Sequence, residues 1–131
     1  MKKITIILFF SLFSLSLAFA QDNPNAPEIS FTATVYDYGT IEKGSDGVCE
    51  FEFTNTGKEP LILSRPRSSC GCTVPAWPQY PILPGKSDKI KITYDTNRLG
   101  TIHKQVTIIS NAKNPTVVLT IKGKVVNKTT N

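Results

Sequence analysis

From Ile29 onward the chain alternates. Ile29, Phe31, Ala33 and Val35 take every second place, with Ser30, Thr32 and Thr34 between them. Period two over that length predicts one half-buried strand. The pattern returns with Cys49, Phe51 and Phe53 against Glu50 and Glu52, and with Ile90, Ile92 and Tyr94 against Lys89, Lys91 and Thr93. Val106 and Ile108 alternate with Gln105 and Thr107, and Val117, Leu119 and Ile121 with Thr120 and Lys122; a further strand is expected in PLILS, residues 60–64. Between these runs stand KGSDG (43–47), NTGKEP (55–60), LPGK (83–86), TNRLG (96–100) and SNAKNP (110–115). Gly supplies positive φ while Pro and Asn start turns, so each cluster ends one strand and begins the next. No segment repeats its apolar residues at three and four over a helical length. The expected fold is all-β, an antiparallel immunoglobulin-like β-sandwich of about seven strands.

The first twenty residues break the pattern. Lys2 and Lys3 precede the apolar run ITIILFFSLFSLSLAFA, which closes on Ala18-Phe19-Ala20. A charged start, a short apolar middle and a small-x-small end predict a secretory signal peptide over residues 1–20. The run falls short of the ~20 apolar residues that span a bilayer, and no cysteine follows the cleavage point, so no stable membrane anchor is expected. The product is expected in the periplasm or outside the cell, with a flexible segment at 21–28, the sandwich at 29–126 and a tail at 127–131. The 131 residues carry 15 basic and 10 acidic side chains. Loss of Lys2 and Lys3 with the leader leaves 13 against 10, a net +3. That charge is modest, and with no aromatic platform among the basic residues it argues against nucleic acid.

Six motifs then become specific in combination: YDYGTIEKG (36–44), FEFTNTGKEPLIL (51–63), SSCGCT (68–73), LPGKS (83–87), ITYDT (92–96) and SNAKNP (110–115). Their order resembles the secreted bacterial family catalogued as domain of unknown function 1573, over nearly the whole mature chain. Asn55-Thr56-Gly57 and Ser69-Cys70-Gly71-Cys72-Thr73 carry the resemblance most specifically. It implies an immunoglobulin-like sandwich related to periplasmic-chaperone and ciliary adaptor modules, and it implies no activity. Tyr38 stands where that family usually has Phe, adding a hydroxyl that needs water or a partner. Cys49 lies outside the family motif.

Three cysteines in an oxidising compartment leave one over and allow three pairings. Cys70 with Cys72 needs a Cα separation near ~5.5 Å across one residue, which Gly71 could bend to permit. Cys49 with either of the others would close a loop worth about 3 kcal/mol in the chain-entropy model. Alternation points Cys49 inward, where a lone thiol behaves as a small apolar group. A structural role for Cys49, Cys70 and Cys72 competes with a soft-metal site of copper type made by Cys70 and Cys72 with His103 as third ligand. It also competes with thiol redox chemistry, for which Arg65 and Arg67 are the nearby cations. His103 falls on the polar side of its strand, the ordinary place for a solvated histidine.

TVPAWPQYPILPG (73–85) is a stiff loop that could present Trp77 and Tyr80 as a binding surface, although Trp77 closing one end of the core is the plainer reading. Lys86, Lys89, Lys91, Lys122, Lys124 and Lys128 form a polar stripe with the look of a solvated sheet face. Sheet edges could accept a strand from another protein, and NKT (127–129) matches a glycosylation acceptor. Glu50 and Glu52 share the solvent face of a strand, no nucleophile and base stand in a recognised order around the single histidine, and no Gly-rich phosphate loop occurs. The sequence therefore points to an exported non-catalytic interaction or structural module, with no cofactor and with another envelope protein or surface component as partner. The alternative is a metal or redox protein working through the Cys-Gly-Cys loop. No oligomeric state follows from the sequence.

Overall fold

A computed structural model describes residues 22–129; the expected signal peptide and the last two residues lie outside them. Eight strands form two sheets among the described residues: β1 (Ile29–Phe31), β2 (Val35–Glu42), β3 (Val48–Asn55), β4 (Arg67–Ser68), β5 (Thr73–Ala76), β6 (Ser87–Tyr94), β7 (Gly100–Ile109) and β8 (Thr116–Val126). Sheet I has the order β1-β3-β6-β5 and sheet II the order β2-β8-β7-β4. The all-β immunoglobulin-like sandwich expected from the alternation is the fold observed.

Alternation places the core. Phe51 and Phe53 of β3, Ile90 and Ile92 of β6, Val106 and Ile108 of β7, and Leu119 and Ile121 of β8 all turn inward and are buried. Each such side chain contributes about 1.5–3 kcal/mol by leaving water. The residues between them face solvent. On sheet I, Glu50 lies opposite Lys91 and Glu52 opposite Lys89, with Glu50 Oε2 3.2 Å from Lys89 Nζ. Lys122 and Lys124 pair instead with β7, in sheet II. The lysine stripe is thus divided between two sheets, and its sheet I half is matched by carboxylates.

Two elements differ from expectation. The run 29–35 is two strands: Thr32 N still donates to Glu52 O in sheet I, while Thr34 O already accepts from Thr120 N in sheet II. The chain changes sheets at Ala33, and the inward period expected through Ala33 and Val35 ends there: both are exposed, and Tyr38 and Ile41 are the residues of β2 that pack against the core. β2 then runs parallel to β8, the one parallel pairing among otherwise antiparallel ladders in the described residues. PLILS makes no ladder: Leu61 bridges to Ile82 and Leu63 to Ser110, one contact toward each sheet, and both leucines are buried.

The turn SNAKNP fastens two of these irregular segments. Asn111 Oδ1 accepts from Ile62 N at 2.8 Å, and its main-chain N donates to Ile62 O at 3.1 Å. Asn114 accepts from Ile29 N at 3.1 Å and donates to Ile29 O at 2.7 Å. A side-chain amide therefore occupies the outer edge of β1 as a neighbouring strand would.

Candidate functional site

The Cys-Gly-Cys loop is the link between the sheets on one side of the sandwich. β4 is the last strand of sheet II and β5 the last of sheet I, and only residues 69–72 separate them. Ser69 N donates to Gln105 O at 3.1 Å, which holds one end of the link to β7; Asp95 N donates to Cys72 O at 2.9 Å, which holds the other beside β6. Across the bend the Cα atoms of Cys70 and Cys72 are 5.3 Å apart and their sulfurs are in bonding contact, the arrangement of a disulfide across one residue. Ser68 Oγ donates to Cys70 O at 2.7 Å, and Thr73 N donates to the same carbonyl at 3.3 Å.

Gly71 has no positive φ and nothing within 4 Å of where a Cβ would stand. The bend therefore does not use the conformational freedom that the sequence suggested for it. Cys72 is buried and Cys70 half-buried, so the pair is packed against the core.

Cys49 is the free cysteine, and it is buried. Its neighbour is the phenol of Tyr38, whose oxygen lies 3.4 Å from Cys49 Sγ and donates to Gly47 O at 2.6 Å. Burial pushes the Tyr38 phenol far above its ordinary value, with the bond to Cys49 and the charges of Cys49, Tyr36 and Asp46 adding to the rise. Burial also raises the Cys49 thiol, opposed by the bond to Tyr38. A thiol held protonated in this way is a poor nucleophile and a poor metal ligand.

The remaining candidates are dispersed. His103 is exposed opposite Lys122 in sheet II, and among the described residues no three His, Cys, Asp or Glu side chains are grouped as a metal would need. The structure does not bring His103 together with Cys70 and Cys72. Trp77 packs against the core, whereas Tyr80 is 59% exposed and donates to the Asp88 carboxylate. The two aromatics of the proline-rich loop thus face different surroundings.

Sequence reasoning also missed the role of Asn55. It is fully buried at the end of β3, and every polar atom of its side chain is used. Oδ1 accepts from Gly57 N at 3.0 Å and Glu28 N at 3.4 Å; Nδ2 donates to Glu59 O at 2.8 Å and Ile82 O at 2.9 Å. Gly57 completes the device, because a Cβ there would collide with Ala26 O and stand 2.6 Å from Pro27 Cα. The available signal was an Asn directly at the end of an apolar alternation with Gly two places on, a pattern that also reads as an ordinary turn.

No curated protein matches the chain. Among solved structures it is similar to a protein of unknown function from Porphyromonas gingivalis W83, with 21% identity and a TM-score of 0.69 over 80% of this chain and 50% of that one. The ASH/PapD-like domain 7 of human CEP192 is similar at 15% identity and TM-score 0.65, over 86% and 95%. The periplasmic chaperone SfaE follows at 16% identity and TM-score 0.50, over 77% and 58%. The chain thus spans half the length of the Porphyromonas protein, and at these identities the likenesses show the fold. The family described as "Protein of unknown function (DUF1573)" matches residues 29–125, and the chain belongs to it.

Proposed function

We propose that this is an exported, non-catalytic β-sandwich serving as a protein-interaction module of the bacterial envelope. The observation that carries the reading is a row on the outer face of sheet I. Val48 of β3 and Val74 of β5 both lie opposite Thr93 of β6, and they are 39% and 61% exposed. Two β-branched apolar side chains flanking a small polar one make a flat patch of the kind that protein partners cover. The groups that could do chemistry are occupied in holding the fold together: Cys70 and Cys72 by each other, Asn55 by four main-chain groups, and Cys49 beneath Tyr38. A partner rather than a small substrate is the occupant this surface suits.

A photo-crosslinking residue placed at Val74, and as a control at His103 on sheet II, tests the reading in the producing cell. A discrete adduct from position 74 and none from 103 is expected. Equal labelling from both, or none from 74, overturns it. Alkylation without reductant is expected to leave Cys70 and Cys72 unmodified, and the purified protein is expected to lose copper on dialysis. Ready alkylation with copper retained would instead establish the metal reading.

A further inference from the structure

Sheet I has a notch. β1 pairs with β3 only at Phe53–Asn55, and the last bond along that line is Thr32 N to Glu52 O. The chain then leaves for sheet II, while β3 extends back to Val48. In an antiparallel ladder, main-chain groups point alternately to one neighbour and the other. Gly47 O accepts from Tyr94 N and Asn55 N donates to Lys86 O, so the odd-numbered residues of β3 are bonded toward β6. The even-numbered ones face the β1 side, where Glu52 O is taken by Thr32 and Val48 N by Asp46 Oδ1 at 2.9 Å. Between them, the N–H and C=O of Glu50 open into a groove of about 180 Å³, walled by Thr32, Ala33, Val35 and Tyr36 on one side and by Glu50 to Glu52 on the other.

We infer that this notch receives a short extended segment of a partner protein, aligned with β1 and antiparallel to β3, which makes both main-chain hydrogen bonds of Glu50. The inference rests on the protein-binding reading above and adds to it a contact on the free edge of β3, two residues from Val48. Pleating fixes the chemistry of the segment. The residue opposite Glu50 places its side chain on the outer face between Glu50 and Glu52. Lys89 already holds Glu50, so Glu52 is the carboxylate left for a Lys or Arg of the partner. The residues on either side point between the sheets, toward Tyr36 and the buried Phe51, and must be apolar and compact. The segment recognised is apolar-basic-apolar.

Other edges do not compete for it. The outer groups of Ile29 in β1 are held by Asn114. On the outer edge of β5, Thr73 N is taken by Cys70 O and Pro75 has no N–H to give. β2 is irregular between Asp37 and Thr40, with Gly39 N taken by Asp37 Oδ1, and β4 has two residues.

Phage-displayed random heptapeptides selected on the purified protein provide the probe, with E50P and E52K as comparisons. Proline at position 50 removes a donor that faces the notch and leaves the β6 ladder intact; E52K changes only an exposed charge. Selected peptides are expected to alternate apolar and basic residues and to bind each variant at least tenfold more weakly. Their binding is also expected to slow amide exchange at Glu50 at least tenfold. Peptides that bind both variants as tightly as the parent, or no selected peptide at all, would overturn the notch, while an adduct from position 74 would still leave the interaction module standing. Sedimentation showing a dimer that E50P dissociates would assign the notch to a second copy of this chain and overturn a foreign partner.

Discussion

The phenol of Tyr38 crosses from sheet II to sheet I, donating to Gly47 O at 2.6 Å and resting 3.4 Å from Cys49 Sγ. The free thiol of sheet I and a phenol of sheet II are therefore in contact. Tyr38 also stacks edge-on against Tyr36 at 4.9 Å and lies 6.4 Å from the ring of Tyr94. These rings lie on the side of the sandwich where sheet I lacks a strand beyond Thr32.

Both groups are pushed upward on folding, Cys49 from 9.0 and Tyr38 from 10.0, by burial first. An acid whose pKa is raised by folding keeps its proton longer in the folded chain than in the unfolded one. Stability is then full below the unfolded value and declines as pH climbs toward the folded value. Melting temperature is expected to hold to about pH 9 and then fall. Thermal melts of Y38F and C49A should show a shallower alkaline decline. At pH 7, Y38F should cost about 1 kcal/mol, the worth of one hydrogen bond, because Gly47 O keeps its bond from Tyr94 N.

Removing the side chain of Asn55 should be far more costly. N55A strands the N–H groups of Glu28 and Gly57 and the carbonyl of Glu59, while Ile82 O keeps its bond from Leu61 N, and each group left unpaired away from water costs about 1–3 kcal/mol. N55D sets a carboxylate oxygen against the carbonyls of Glu59 and Ile82 and should be worse still. G57A forces the Ala26–Glu28 segment away, with an expected loss of about 3 kcal/mol, the upper range for overpacking. Urea denaturation should rank the three as N55D, N55A, then G57A; a G57A protein as stable as the parent would contradict the close approach.

Alternation made the core legible because side-chain direction is a property of each strand alone. It did not reveal hydrogen-bond partners, which belong to pairs of strands. Thr32 and Thr34 look alike in sequence yet bond to different sheets, and Leu61 and Leu63 keep the period while serving as isolated bridges. The roles of Asn55, Asn111 and Asn114 were hidden for the same reason. An asparagine in a turn cluster reads as turn chemistry until the strand it reaches, 85 residues away for Asn114 and Ile29, is known. The cysteines were open to three pairings because spacing alone does not place Cys49 on a different strand line from the link at 69–72.

Closing a three-residue loop removes little chain entropy, about 1.5 kcal/mol by the same relation that gives about 3 for the longer loops. The link between Cys70 and Cys72 should therefore act on local geometry more than on global stability. C70S/C72S is expected to remain folded and to lose about 1–2 kcal/mol. Amide exchange should quicken at Ser69, Thr73 and Asp95, whose bonds anchor the link, and stay unchanged at Ile90 and Leu119 in the core. Global unfolding of the double variant would show that the bridge holds the two sheets together.

Asn114 offers the last test, since its amide stands where a ninth strand would pair. N114A frees the N–H and C=O of Ile29 and leaves β1 as an open edge, the surface through which sheet proteins associate. Two hydrogen bonds at about 1 kcal/mol each set the expected loss of stability. The more telling readout is sedimentation, where N114A should self-associate at concentrations at which the parent does not. N114D, which can still accept from Ile29 N but cannot donate to Ile29 O, should fall between the two. If N114A matches the parent in both stability and sedimentation, Asn114 is not what protects that edge.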